Sequence, residues 1–153
     1  EIKFSLNEKD SLKRIQTFIA KKLKKSFIYF PTELNENILI AKVKELGTYT
    51  FVRDSLAPTV VPNNFKPEQW LSKFKFLSLK INDDFSGIKK YRGSINGEWV
   101  LFEYEPKKKM LTYDFSDKYF ENVKHKLKLE VEDNVGNKKI YQTTFFRKND
   151  LKD

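Results

Sequence analysis

Hydrophobic and polar residues alternate along several runs in the second half of the chain. Aliphatic and aromatic residues occupy every second position of these runs, with polar or charged residues between them. This period of two is typical of β-strands that bury one face, because successive side chains of a strand point to opposite sides of the sheet. The alternation predicts an inward-facing core that comprises Leu77, Leu79, Ile81, Leu111, Tyr113, Phe115, Leu127, Leu129, Val131, Tyr141 and Phe145.

Polar turns separate these runs. Residues 82–88 read Asn-Asp-Asp-Phe-Ser-Gly-Ile, and residues 133–137 read Asp-Asn-Val-Gly-Asn. Short Asp, Asn and Ser side chains hydrogen-bond the local backbone, and glycine accepts a positive φ. Asn96-Gly97 adds a strong hairpin signal, because a type I′ turn needs a positive φ at both central positions. The turns therefore predict short strands with tight connections.

Seven strands are predicted after residue 55. Seven short strands at this spacing are typical of an immunoglobulin-like or fibronectin type III-like β-sandwich, so the predicted fold class is all-β. The absence of cysteine excludes the Cys–Trp–Cys pattern of an antibody domain. The predicted strands cover residues 59–61, 75–82, 88–95, 98–104, 110–115, 125–132 and 138–147.

The first 55 residues also read as β-structure. Residues 11–23 have a second interpretation as a basic amphipathic helix, because their leucines and isoleucines fall near helical spacing, whereas the β propensity of Thr-Phe-Ile-Ala favours a strand. Four or five strands are few for a sandwich, so we expect the C-terminal part of a preceding β-sandwich domain. The predicted strands cover residues 2–6, 17–21, 27–30, 38–43 and 48–52.

Proline clusters between residues 54 and 67, where the two regions meet. Proline fixes φ and removes a hydrogen-bond donor, so this segment predicts a stiff interdomain link that leads into an edge strand. We therefore predict a first part at residues 1–55, which includes the start of the linker, an immunoglobulin-like sandwich at residues 56–149, and a tail at residues 150–153.

The chain is basic, with 30 Lys and Arg residues against 21 Asp and Glu residues. Lysine and glutamate are interleaved along the strands, which indicates solvated outer faces. Nucleic-acid binding is disfavoured because Glu130 and Glu132 share a strand face with Lys126 and Lys128.

No window is long and apolar enough for a transmembrane helix. No signal peptide is present and Glu1 is not an initiator Met, so we expect a mature or trimmed fragment.

The sequence predicts no catalytic residue and no cofactor. Zinc enzymes normally hold the metal with several His, Cys or carboxylate ligands, and this chain has a single histidine and no cysteine. The Gly-x-Ser-x-Gly, Gly-x-Gly-x-x-Gly and P-loop patterns are absent. His125 begins a predicted strand, so we expect a surface or turn residue there.

Two segments, Gly-Thr-Tyr-Thr at 47–50 and Asp-Ser-Leu-Ala-Pro-Thr at 54–59, resemble the junction between two β-sandwich domains. Four further segments are Asp-Phe-Ser-Gly-Ile at 84–88, Tyr-Arg-Gly at 91–93, Asn-Gly-Glu-Trp at 96–99 and Asp-Asn-Val-Gly-Asn at 133–137. Together they resemble the C-terminal immunoglobulin-like module found behind lysostaphin-type zinc endopeptidases and related bacterial cell-envelope proteins. The resemblance implies an exported, non-catalytic fragment that lies C-terminal to a peptidase-type catalytic domain outside this chain and is partnered by the upstream domains of its own polypeptide.

Two hypotheses of function follow. In the first, the chain is an accessory, spacer or interaction module of a cell-envelope protein. In the second, it binds cell-wall polysaccharide or another anionic polymer through the outer strand face. The candidate ligand-binding residues are Lys90, Arg92, Trp99, Lys126 and Lys128.

A calcium site is a further candidate at the two Asp-rich turns. The loop between the second and third strands of such a sandwich lies at the same end as the loop between the sixth and seventh. Calcium takes carboxylate, amide and carbonyl oxygens, so Asp83, Asp84, Asp133 and Asn137 are candidate ligands. The competing interpretation is turn capping alone, in which Asp84 and Asp133 bond backbone amides and no ion is bound.

The predicted inward phase of the alternation can be tested at Leu129. Leu129→Ala is expected to lower the free energy of unfolding by about 2–5 kcal/mol, because it leaves a cavity in the core. Lys128→Ala, one residue away on the opposite face, is expected to change it by no more than about 0.5 kcal/mol. Urea denaturation of both variants measures the difference, and a cost below about 1 kcal/mol for Leu129→Ala would contradict the predicted strand phase.

Overall fold

The computed structural model describes residues 1–7 and 15–148, and the predicted tail at 150–153 lies outside these ranges. The regular secondary structure of the described chain is mainly β-strand, and a 3-10 turn lies at Pro106–Lys108. Within it, no helix has the length and apolar character needed to cross a membrane. The strands are β1 (Ile2–Ser5), β2 (Thr17–Lys22), β3 (Phe27–Tyr29), β4 (Thr32–Asn35), β5 (Ile38–Ala41), β6 (Tyr49–Arg53), β7 (Thr59–Pro62), β8 (Phe76–Asn82), β9 (Ile88–Ile95), β10 (Glu98–Val100), β11 (Glu103–Glu105), β12 (Met110–Asp114), β13 (Lys124–Asp133) and β14 (Lys138–Phe146).

The first six strands form two antiparallel three-stranded sheets, in the orders β1-β5-β4 and β3-β2-β6. Their small core contains Leu6, Ile19, Leu39 and Ala41. The strand interpretation is confirmed for Thr17–Lys22, whereas residues 8–14 lie outside the described residues. That residues 1–55 belong to a larger sandwich stays a prediction.

Strand β4 was not predicted. It forms a hairpin with β5 through a turn in which Glu36 has a φ of 53°. A positive φ usually marks glycine, asparagine or aspartate, so a glutamate there carries no turn signal in the sequence. The Thr32 hydroxyl accepts a hydrogen bond from the Ile19 amide at 2.9 Å, which ties this hairpin to the other sheet.

The last eight strands form the predicted all-β sandwich, with two antiparallel four-stranded sheets in the orders β10-β9-β13-β14 and β11-β12-β8-β7. This is the immunoglobulin-like and fibronectin type III-like arrangement of two packed sheets. The number of strands differs from the predicted seven, because the run at 98–104 is not one strand. It leaves the first sheet after Val100 and joins the second sheet at Glu103.

Phe102 causes this break, because its side chain lies between the two sheets and is only 2% exposed. Its ring packs against the backbone of Gly93 and tilts against the ring of Tyr113, 5.7 Å away. Burying an aromatic ring at a position where the chain passes between sheets offsets the loss of ladder hydrogen bonds there.

The predicted core is confirmed. All its members are buried except Tyr141, which is half-buried and packs against the core. Sequence alternation did not identify the core residues contributed by irregular segments or by the sheet crossing. Those residues are Phe65, Leu71 and Phe102.

Gly93 provides a test of the packing at the crossing. A Cβ atom on Gly93 would lie 2.3 Å from two ring atoms of Phe102, and the buried ring has little room to move. Gly93→Ala is therefore expected to lower the free energy of unfolding by about 1–3 kcal/mol in chemical denaturation. If the ring is the cause, Phe102→Leu in the Gly93→Ala background should cost less than it does in the wild type. Additive costs would contradict the contact.

Candidate functional site

The exposed face of the β10-β9-β13-β14 sheet, here called the outer face, carries the predicted ligand-binding residues. Strand β13 buries every second side chain from His125 to Asp133 and turns the residues between them outward. Its neighbour β9 pairs Arg92 with Glu130 and Lys90 with Glu132. The outer face comprises Lys90, Arg92, Trp99, Lys126, Lys128, Glu130 and Glu132.

A shallow open groove of about 390 Å³ runs over one end of this face. Three of the five predicted residues line it together, and Lys128 lies beside it in an adjoining hollow that also touches Arg92 and Trp99. Lys126 is farther away, in a separate depression near Glu68 and Thr144. The lining residues of the groove are Lys90, Tyr91, Arg92, Trp99, Glu130, Val131, Glu132 and Lys138.

Most charges of the groove are paired. The Glu132 carboxylate lies 3.1 Å from the Lys90 ammonium and 3.5 Å from that of Lys138, and Glu130 lies 2.6 Å from Lys128. The hydrogen-bonded lysines lower the pKa of Glu132 and of Glu130. The lysines of these pairs and Glu130 are exposed, whereas the Glu132 side chain is 13% exposed. Exposed pairs add little stability, and their main effect is to fix the positions of donors and acceptors.

Arg92 and Trp99 differ from their neighbours. Within residues 1–7 and 15–148, the Arg92 guanidinium has no hydrogen bond and no ion pair. The Trp99 side chain is 54% exposed on the adjacent strand. The groove therefore combines an exposed aromatic plane with a guanidinium whose nearest charged neighbour on the paired strand is Glu130, and lysine and glutamate groups surround them.

The Asp-rich turns form a second candidate site at one end of the sandwich. In the first turn, Asp83 Oδ1 accepts hydrogen bonds from the amides of Phe85 at 3.2 Å and Gly87 at 2.7 Å. In the second turn, Asp133 Oδ1 accepts from the amides of Val135 at 2.9 Å and Asn137 at 2.8 Å. Each turn is thus closed by its own buried or half-buried aspartate.

The two turns contact each other, which confirms that they lie at the same end. The side-chain amide of Asn134 donates to the carbonyl of Ser86 at 2.7 Å, and its backbone amide donates to the carbonyl of Gly87 at 3.0 Å. Gly87 has a φ of 83°, a conformation that favours glycine, so this approach of the turns depends on that residue.

Asp54 connects the N-terminal sheets to the two Asp-rich turns. It follows β6 directly, is only 2% exposed, and accepts hydrogen bonds from the amides of Leu56 and Ser86, both at 3.1 Å. Its backbone carbonyl accepts from the side-chain amide of Asn137 at 3.0 Å. The carbonyl of that Asn137 side chain accepts from Gln16 Nε2 at 2.6 Å. The two halves of the chain are therefore joined by a polar network.

Carboxylate oxygens of Asp54, Asp83 and Asp133 lie within 4.8 Å of one another. Burial raises the pKa of Asp83, the neighbouring charges of Asp54 and Asp133 raise it further, and the hydrogen bonds from Gly87 and Phe85 oppose the shift. At this separation two like charges repel by about 3 kcal/mol for an effective dielectric constant near 20. The cluster is costly unless a proton or a cation is shared within it.

Two of the four residues considered for calcium lie differently from expectation. The expectation that Asp84 bonds backbone amides is wrong, because its exposed carboxylate accepts from the Asn82 side chain and faces Lys109 at 3.5 Å, while Asp83 bonds the amides. Asn137 uses its amide nitrogen towards Asp133 and its oxygen towards Gln16. Sequence reasoning missed Asp54, which is far from both turns along the chain.

The expectation that His125 lies at the surface is wrong, because only 2% of the residue is exposed. Its ring stacks on Phe145 with centroids 5.0 Å apart. One ring nitrogen donates to the Arg147 carbonyl and the other accepts from the Asn96 side chain, both at 3.2 Å. Burial lowers the pKa of this imidazole, so it is a neutral core residue with both nitrogens engaged.

No family model and no curated protein sequence matches this chain. Solved structures with a similar backbone include an endo-β-1,4-mannanase from Thermotoga petrophila, at 13% identity and a TM-score of 0.50. That match covers 63% of this chain and 21% of the mannanase chain, so the protein spans about a fifth of its length. At this identity the similarity shows a shared fold.

Two further solved structures match more of the chain at lower scores. The fibronectin(III)-like modules of Clostridium thermocellum CbhA have 12% identity and a TM-score of 0.48, with 88% of this chain and 80% of that chain covered. The apo expansin of Clavibacter michiganensis has 14% identity and a TM-score of 0.38, with 91% and 73% covered.

The second turn yields a test of its closing aspartate. Asp133→Ala removes a fully buried carboxylate that accepts from two backbone amides and from the Asn137 side chain. We expect the free energy of unfolding to fall by about 1–3 kcal/mol in urea denaturation, because buried donors lose their partner. Asp84→Ala, which removes an exposed carboxylate, is expected to cost no more than about 0.5 kcal/mol. Equal costs would contradict the assigned roles.

Proposed function

We propose that the chain is a non-catalytic interaction module of an exported cell-envelope protein and that its outer face contacts a polysaccharide. The observation that supports this proposal best is Trp99, which is 54% exposed beside Arg92, a guanidinium that forms no hydrogen bond and no ion pair with the described residues. Tryptophan and arginine are enriched at binding hot spots, and here the two lie side by side in one groove.

The groove suits a sugar chain chemically. A flat indole ring packs against the C–H face of a pyranose, while arginine and lysine donors and glutamate acceptors bond the hydroxyl groups at its edge. The Arg92 fork also suits a carboxylate or phosphate, because it donates two parallel hydrogen bonds to such a group. The surface therefore accommodates a neutral glycan and favours one that carries an anionic group near the aromatic ring.

The parent protein is part of the proposal. The resemblance noted in the sequence supports a place C-terminal to a lysostaphin-type catalytic domain, in which this chain holds or positions the enzyme at the cell wall. The mannanase that shares the fold is, by its name, an enzyme of polysaccharides. We include β-1,4-mannan among the first ligands to test for that reason.

A spacer without a ligand is the second candidate. Contacts between the two halves of the chain favour it, since Asp54, Asn137 and Gln16 link them by hydrogen bonds and Phe27 packs 6.0 Å from Phe85. A stiff connection of this kind would hold neighbouring domains at a set distance. Loss of activity or localisation when this chain is deleted from its parent, without glycan binding, would favour the spacer.

Calorimetric titration with soluble glycans tests the binding surface. We expect binding to peptidoglycan glycan strands or to β-1,4-linked oligosaccharides, and we expect Trp99→Ala to weaken it about tenfold or more, because the stacking plane is lost. Arg92→Glu should weaken binding to an anionic glycan, and added salt should do the same.

Trp70 supplies the matched control. It has the same 54% exposure but stacks on Phe146, away from the groove. Trp70→Ala should leave glycan affinity unchanged, provided that circular dichroism confirms folding. Equal losses in both tryptophan variants, or binding that neither variant nor salt affects, would contradict the outer face as the contact surface.

A further inference from the structure

Three carboxylates from distant parts of the chain meet where the N-terminal sheets join the sandwich. Asp54 follows β6, Asp83 lies in the loop between β8 and β9, and Asp133 ends β13. Their nearest oxygens are all within 4.8 Å of one another. Oxygens that bind one calcium ion at about 2.3–2.6 Å are at most about 5 Å apart, so the spacing of these three oxygens is close to that of a calcium coordination shell.

No charged side chain of the described residues pairs with this cluster. Within residues 1–7 and 15–148, none of the three carboxylates forms an ion pair, and their hydrogen-bond donors are neutral amide groups. Asp54 is 2% exposed and Asp133 is fully buried. Buried charges are normally paired or bound to a metal, since water cannot solvate them.

An independent observation comes from Ser86. The residue is 1% exposed, and its hydroxyl oxygen has no hydrogen-bond partner within the described chain. Its amide donates to Asp54 Oδ2 at 3.1 Å, which places this residue next to the cluster at Asp54. A buried hydroxyl without a partner is rare in native structures, and its oxygen is a suitable ligand for a hard cation.

We propose that Asp54, Asp83 and Asp133 bind a calcium ion, with Ser86 at the rim of the site. The site offers oxygen atoms only, which favours a hard cation over zinc or copper. Magnesium requires a tighter octahedral shell and keeps more of its water, so the wide spacing of three protein carboxylates suits calcium better. The ion would connect the segment after β6 to both Asp-rich turns and stiffen the junction.

This ligand set differs from the one that the turns alone indicate. Asp84 is excluded by its exposed position and its contact with Lys109. Asn137 is left out because it directs its amide nitrogen to Asp133 and its oxygen to Gln16. Asp54 is added from the other half of the chain, so the proposed site requires both halves. It does not depend on glycan binding at the outer face.

Thermal melts and calorimetric titrations of the whole chain test the site, with calcium chloride, magnesium chloride or EDTA as the additions. Calcium at about 5 mM, above the dissociation constants of about 0.1–1 mM typical of extracellular sites, should raise the midpoint of the wild type by about 3–8 °C relative to EDTA. Magnesium at the same concentration should raise it less.

Conservative Asp→Asn variants distinguish the proposed calcium ligands from a neighbouring aspartate that is not a ligand. Asp83→Asn keeps the oxygen that caps the first turn but removes a negative charge. Asp54→Asn likewise keeps a side-chain oxygen and removes a negative charge, in the other half of the chain. Both should abolish the calcium-dependent rise and the heat of calcium binding. Asp84→Asn, at the adjacent residue, should retain both.

Three results would overturn the proposal. The first is an identical wild-type midpoint in calcium and in EDTA with no heat of binding, which would indicate a proton shared among the carboxylates. The second is a calcium response that survives in Asp83→Asn and Asp54→Asn. The third is a response to magnesium equal to that to calcium, which would contradict the choice of ion.

Discussion

The register of β13 is the constraint on which the rest of the sandwich depends. This strand pairs with β9 on one side and β14 on the other, and every second residue from His125 to Asp133 is buried. Because side chains alternate between the two faces, a shift of one residue would exchange the buried set for the charged one. Such a slip would bury Lys126, Lys128, Glu130 and Glu132, so the core itself selects the register.

The same register sets both candidate sites. With the aliphatic residues facing the second sheet, Glu130 and Glu132 of β13 lie opposite Arg92 and Lys90 on the outer face. The inward phase also continues to Asp133, which is buried at the end of the strand and directed to the junction. One strand thus supplies the centre of the core, one wall of the groove and one of the three clustered carboxylates, and the two sites are separate features of a single element.

Sequence patterns predict those parts of the fold that depend on residues close together along the chain. Period-two alternation located the core, and turn chemistry located the Asp-rich loops, because both depend on neighbouring residues. Asp54 was not predicted to join the cluster, since its role arises only when two distant loops fold against it. Strand β4 was missed because Glu36 adopts a positive φ that its residue type rarely takes. The burial of His125 could have been found, because it is in phase with Leu127 and Leu129.

The passage of the chain between sheets after Val100 has an effect on the edges of the sandwich. It replaces one continuous strand by β10 and β11, each three residues long, and these two become outer strands of opposite sheets. Unpaired backbone on a long flat edge invites another chain to add a strand, which leads to aggregation. By burying one phenylalanine where the chain changes sheets, the protein shortens two exposed edges at once and leaves little backbone on either for a second molecule to extend.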